Sequence, residues 1–425
     1  MKWGWVIVLS GLIQYTMFLG FLYSYNLLNI QLKESFNTTA TKSGLPGSIS
    51  MAMYCFWGNA ATVVFQRFGH MVSGYLGVLL CCISLLLSSF AQRIEVLYLT
   101  YGVLYGFGCS SVYFTTVDKI LLYYRGRNST RALGIALLGS GIGVLMAPCL
   151  EWLYAKYTWR TALRILSVMY SLFGCLAVFP NAIEEKCETE TNDIKVVPPR
   201  SFCQRYSDLC KRKDYTVMLP ANMMVGAALT FSYVSLGSYL NDAGMEESSI
   251  SLALGLMGCG ELVGRLLMSL SSAYLKPSPT FQYGCIHIIS SISLLPLLFS
   301  KSSIGLTVIL FAFSISRGMI FVVMVPAVTN LSPENSSSEA IAVEFFLYGI
   351  GAAVVPYITD QLFVLSGSYD SALYVCVGLF LFSGLITFVA NHINKKLYHL
   401  KLYLQRSTYE KVEVQKLEMK RAEAI

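Results

Sequence analysis

The amino-acid sequence predicts an all-α polytopic membrane protein with twelve transmembrane helices in two six-helix halves. Three observations predict it. Hydrophobic residues make up 55% of the 425 and charged residues only 13%, with a mean hydropathy of +0.57; a soluble domain carries roughly 25% charged residues. Apolar runs of about 20 residues, the length that crosses a bilayer, recur along the whole chain. One long polar interval, 181–213, divides those runs six and six.

The first span is expected over 5–30. The start, MKWGWVIVLSGLIQYTMFLGFLYSYNLL (1–28), is too long and too aromatic for a cleaved leader, and no small-residue cleavage site ends it. Five more spans follow near 47–65, 71–91, 96–122, 132–154 and 162–180. The second set lies near 215–240, 249–272, 282–300, 304–328, 341–365 and 372–391. This divides the chain into an N-terminal half (1–180), a linker (181–213), a C-terminal half (214–393) and a tail (394–425). The tail is polar and charged and is expected to be mobile or loosely helical.

Lys and Arg in the short loops set the orientation. With the N-terminus inside, the cytoplasmic side receives Arg67, Arg125, Arg127, Arg131, the linker and the lysine-rich tail. Both termini are therefore expected in the cytoplasm, and the plasma membrane is the expected address. Asn37-Thr38-Thr39 then falls outside as a candidate glycosylation acceptor.

An internal echo supports the two halves. Span five contains GIGVLMAP (Gly141 to Pro148) and span eleven contains GIGAAVVP (Gly349 to Pro356), each the fifth helix of its half. Two parallel six-helix repeats joined by a long loop describe the major facilitator architecture. The twelve Cys fall mostly inside apolar runs without metal-ligand spacing, and read as small packing residues. No metal, cofactor or nucleic acid is called for. The four His form no cluster, and no phosphate-binding loop appears, so an enzyme or an ATP-driven pump is not expected.

Charges inside the spans carry the functional signal. GCGELVGRLL (258–267) places Glu261 and Arg265 four apart, on one face of span eight. An acidic residue or Arg at mid-helix costs roughly 2.5–3.5 kcal/mol, so something must offset it. An intrahelical ion pair is one reading, and Gly260 and Gly264 beside it suit close helix packing. The other reading is a water-filled central path in which Arg265 binds a carboxylate through its planar fork. An anion on Arg265 would weaken its hold on Glu261 and favour protonation there, a physical route to proton-coupled symport.

Arg317 in span ten is expected either to pair with Glu344 at the start of span eleven or to give an anion a second contact. Asp118 and Lys119, with Arg67, are expected to form gating contacts. Gln14, Asn26 and Asn29 in span one are polar enough to face the path or to hold helices together.

Four patches together resemble the monocarboxylate transporter family. KWGWVIVLSG (Lys2 to Gly11) resembles that family's first-helix signature. YYRGRNSTRALGIALLGSGIG (Tyr123 to Gly143) resembles its fifth-helix signature, matching at Tyr123, Tyr124, Arg127, Ala132, Gly134, Ala136 and Gly139. QRFG (Gln66 to Gly69) and WRTALRIL (Trp159 to Leu166) resemble the loop after helix two and the start of helix six. The resemblance implies that Glu261 carries the proton and Arg265 the substrate anion. It also implies a single-span ancillary glycoprotein as a partner.

Two positions depart from the family pattern. Glu261 stands where the family has Asp. The family's lactate-carrying members have a Lys in the outer part of helix one; the matching region here, FLYSYNLLN (Phe21 to Asn29), has none, and Tyr23 or Asn26 would occupy its place. Three functions follow as expectations: a proton-coupled carrier of a small organic acid, an uncoupled carrier of an aromatic or amino-acid-like solute, and a non-transporting solute sensor.

Overall fold

Small residues and aromatics inside the apolar runs decide how these helices bend and meet. The computed structural model describes residues 2–38, 40–124, 127–182, 202–272, 274–300, 302–333 and 336–422. The first pass, α1, is built from Lys2–Gln14, a π-helical stretch Tyr15–Leu19, Gly20–Tyr23 and Tyr25–Ser35. α2 comprises Ala40–Phe56 and the start of Gly58–Ser89; that run turns at Gly69 (φ 85, ψ 162), and its remainder is α3. Only a residue without a Cβ takes this conformation cheaply.

α4 joins Ile94–Leu97, a second π-helical stretch Tyr98–Tyr105, and Gly106–Tyr123. α5 joins Arg127–Leu145 to Ala147–Lys156, and α6 is Trp159–Val178, capped by the Thr158 side chain. A linker helix, Phe202–Lys211, precedes the second half.

α7 joins Lys213–Val234 to Leu236–Asp242, α8 is Glu247–Ser271, and α9 is Pro279–Leu294 with a 3-10 turn Leu295–Leu298. α10 is Ser303–Leu331 and α11 is Ser337–Ser366, stopped by left-handed Gly367. α12 runs Asp370–Ala422, so no helix break marks the expected tail boundary at residue 394. Helix thus covers all twelve expected spans. Nine helices among the described residues are long and apolar enough to cross a membrane. Most of the expected linker, and Thr39 of the expected glycosylation motif, lie outside the described residues; Asn37 is exposed with φ 44.

The repeated glycine motif does the same work in both halves. A Cβ at Gly143 would meet the backbone of α1 at Thr16 and Gly20, and one at Gly351 would meet α7 at Met223 and Ala227. Each therefore seats the fifth helix of its half against the first. The leading glycines face across the molecule: Gly141 abuts Leu262 on α8, and Gly349 abuts Cys55 and Phe56 on α2. The repeated motif thus packs equivalently in the two halves.

The halves meet at the end that carries the linker helix. There Gln66 on α2 donates to Glu339 on α11 at 2.9 Å, and Ser338 donates to Asp118 on α4. The linker helix adds Arg205 to Glu339 at 3.0 Å and Tyr206 to Asn59 at 2.8 Å. The contacts between the halves thus close the linker face. Toward the opposite end, a Cβ at Gly255 or Gly258 of α8 would meet nothing within 4 Å among the described residues.

Candidate functional site

Glycines bring the charged residues together. A Cβ at Gly264 would strike the backbone of Ile315, one at Gly318 the carbonyl of Glu261, and one at Gly260 the Ser314 side chain. Their absence lets α8 and α10 run in near-backbone contact, as small residues allow in membrane helices. Arg317 then reaches Glu261 directly.

Glu261 is held from two sides. Arg265 Nη2 donates to Oε1, and Arg317 Nη2 donates to Oε2 at 2.7 Å. Arg317 Nη1 also donates to Ser232 Oγ at 3.2 Å. Arg265 crosses to the other half, where Nη1 donates to Ser140 Oγ at 2.7 Å and to the Leu137 carbonyl at 3.3 Å. Its guanidinium stands over the Phe321 ring, 5.4 Å from the centroid. Arg265 Nε is a buried donor without a partner. The three charged residues are 3–9% exposed. Two guanidiniums around one carboxylate leave one net positive charge facing the interface between the halves.

That interface holds a narrow cavity beside Arg265. Tyr23, Tyr54, Tyr113 and Ser140 line it from one half, and Phe321, Met324, Phe345 and Tyr348 from the other. Tyr54, Tyr113 and Phe345 pack on one another with centroids 5.0–6.0 Å apart, joining the halves through an aromatic floor. The π-helical stretch of α1 is tied to the same wall, since Tyr105 donates to the Phe18 carbonyl at 2.9 Å and Tyr15 to the Tyr113 carbonyl at 3.2 Å.

The expected site residues divide accordingly. Glu261, Arg265 and Arg317 form one cluster, and Tyr23 lines the cavity beside it. Asn26 is exposed and lies outside the cavity lining. The expected alternative pairing of Arg317 with Glu344 is not formed. Glu344 is buried on α11 without a hydrogen-bond partner among the described residues, because the α8–α10 contact turns Arg317 toward Glu261.

Asp118 takes part in the closed face, with His70 Nε2 2.6 Å from its second oxygen. Lys119 is buried with its ammonium 5.8 Å from the Tyr123 ring centroid. Arg67 is exposed; its neighbour Gln66 makes the contact between halves. Gln14 is structural, bonding Ser10 at 2.9 Å and the Ala177 carbonyl at 3.2 Å. Sequence reasoning missed Ser140, Ser232 and Glu339; the signal for the last was an acidic residue two positions into α11.

Comparison with known proteins agrees with this architecture. Human Monocarboxylate transporter 12 is 27% identical over 427 residues, covering 92% of this chain and 81% of that protein. Monocarboxylate transporter 13 of Rattus norvegicus is 26% identical over 391 residues (90% and 87%), and Monocarboxylate transporter 2 of the same organism 23% over 418 (93% and 84%). Among solved structures, the transporter FucP in its outward conformation superposes with a TM-score of 0.72 at 12% identity, covering 91% of this chain and 99% of that one. The family model of the Major Facilitator Superfamily matches residues 7–356. The chain belongs to that superfamily: it is a membrane transporter related to the monocarboxylate transporters, and not an enzyme.

Proposed function

We propose that the protein is a secondary active carrier of a small organic acid, moving the anion together with a proton by alternating access. The observation that carries this is the charge count at the site: Glu261 between Arg265 and Arg317 gives the three residues one net positive charge. A monocarboxylate neutralises it. The planar guanidinium of Arg265, with Nε still available, matches a carboxylate fork. Once a substrate anion occupies Arg265, Glu261 is held less strongly and takes a proton more easily. Anion and proton then favour each other's binding, which is the thermodynamic content of symport.

The aromatic lining favours an acid with an apolar or ring-bearing body. It is also the observation behind a second reading, uncoupled carriage of an aromatic or amino-acid-like solute. In either case residues 1–180 and 214–393 would rock about the site, and Asp118, with Gln66 and Glu339, would gate the linker side. Both termini in the cytoplasm of a plasma-membrane protein would make this an outward-facing conformation. A single-span ancillary glycoprotein as partner follows only from the relatives.

The test is uptake of labelled carboxylates and aromatic amino acids into sealed vesicles, with and without an inwardly acidic gradient. Carboxylate uptake that rises with the gradient supports symport; uptake indifferent to it supports the second reading.

A further inference from the structure

Glu344 takes no part in the central ion pairs. It is 1% exposed, and neither carboxyl oxygen has a hydrogen-bond partner among the described residues. The register of the α7–α11 contact sets Asn222 opposite it. Gly226 of α7 lies against the backbone of Tyr348, and Asn222 and Glu344 are each four residues nearer the linker face. Asn222 Oδ1 accepts from Tyr283 at 3.1 Å, while its Nδ2 is buried without a partner.

Among the described residues, the groups that α7, α9 and α12 bring toward it are neutral or weakly titrating. On α9, Tyr283 packs edge-on against His287 with centroids 4.0 Å apart. His287 Nδ1 lies 2.8 Å from Ser383 Oγ of α12, and its Nε2 is another buried orphan. On α7, Tyr215 donates to the Ala340 carbonyl at 3.1 Å, one turn before Glu344. Both Tyr215 and Tyr283 are within electrostatic range of Glu344. The charged pair on this side, Arg212–Asp214 at 2.5 Å, sits at the linker-face end of α7.

A carboxylate with neither cation nor donor is costly away from water, whereas the neutral acid is tolerated. An ionisable group kept there points to a proton function. Its position supplies the route. Tyr348, one turn along the same face of α11, lines the central cavity. In the other direction Ser338 and Glu339 make the linker-face contacts, about 7.5–9 Å along the helix axis from Glu344 at 1.5 Å per residue.

We infer that Glu344 is a second proton site, a neutral carboxylic acid while the linker-face gate is shut. When the gate opens, its O–H proton passes to water on that side, and the carboxylate is reloaded from the cavity past Tyr348. The part this plays in transport rests on the symport reading; the protonation and its dependence on the gate do not.

Infrared spectroscopy of the full-length protein in lipid, following the C=O stretch of protonated carboxyl groups, tests it without transport. At neutral pH the wild-type signal should persist in Glu261→Gln and lose a component in Glu344→Gln, whose amide matches the size of the neutral acid. That component should exchange with D2O several-fold faster in Glu339→Gln, and in Arg205→Gln should Glu339→Gln prove unstable. A signal unchanged by Glu344→Gln overturns the proton site. Unchanged exchange in both gate variants overturns the route. Wild-type uptake indifferent to the proton gradient, with these signals as expected, would count against the symport reading alone.

Discussion

Arg317 on α10 donates to Glu261 on α8 at 2.7 Å, gripping the carboxylate oxygen that Arg265 leaves open. Loss of Arg317 leaves Glu261 neutralised by Arg265 but strips one buried carboxylate oxygen of its donor, and a buried group without its partner costs about 1–3 kcal/mol. Arg317→Ala should therefore lower the melting temperature and abolish saturable anion uptake. In that background, adding Glu261→Gln leaves buried Arg265 without its carboxylate and should lower the melting temperature further, with no uptake. Equal melting in the single and double variants would mean that the Arg265–Glu261 pair contributes nothing to stability.

The pairing depends on backbone approach, so Gly318→Ala should disturb it without touching a charge. The new methyl meets the Glu261 carbonyl, and overpacking of this kind costs about 1–3 kcal/mol. The expected result is a lower melting temperature and weaker substrate affinity, whereas Gly258→Ala, where nothing lies within 4 Å, should change neither. Equal effects of the two substitutions would remove the α8–α10 contact from the account.

Closure at the linker face rests on Glu339 and Asp118. Glu339→Gln with Asp118→Asn should shift the equilibrium toward the conformation open on that side. Spin labels at the exposed positions Arg67 and Lys276 should report a longer, broader distance distribution. An unchanged distribution would exclude these contacts as the gate.

The linker helix offers a pH signature. Burial, with Glu339 adding to it, pushes the Tyr206 hydroxyl up to about 12, above the ordinary value of about 10. The neutral hydroxyl that donates to Asn59 is thus stabilised in the folded protein. Its contribution is fully present below the ordinary tyrosine value and is lost as pH rises from there toward about 12. The melting difference between wild type and Tyr206→Phe should be flat through neutral pH and shrink only in that alkaline window. A difference that shrinks at acid pH would assign it to another group.

Residues close in sequence were the legible ones. Glu261 and Arg265 lie one turn apart, so helical spacing alone puts them on one face, and the repeated GIG motif announced two equivalent halves. The partner of Arg317 was not legible. Periodicity gives a residue's face but not the neighbour it meets, and here three glycines on two helices chose Glu261 over Glu344. The aromatic lining was hidden for another reason: with 27 Tyr and 24 Phe along the chain, Tyr54 or Phe345 has no local mark that separates it from packing residues. Glu339 escaped because its partners Gln66 and Arg205 come from the other half and the linker.

The central claim is that Glu261 carries the proton for an anion bound at Arg265. The most direct measurement compares Glu261→Gln with wild type in two assays on the same vesicles, net uptake driven by a proton gradient and exchange of internal for external substrate. Gradient-driven uptake should be lost while exchange survives, and Arg265→Ala should lose both. Gradient-driven uptake intact in Glu261→Gln would contradict it.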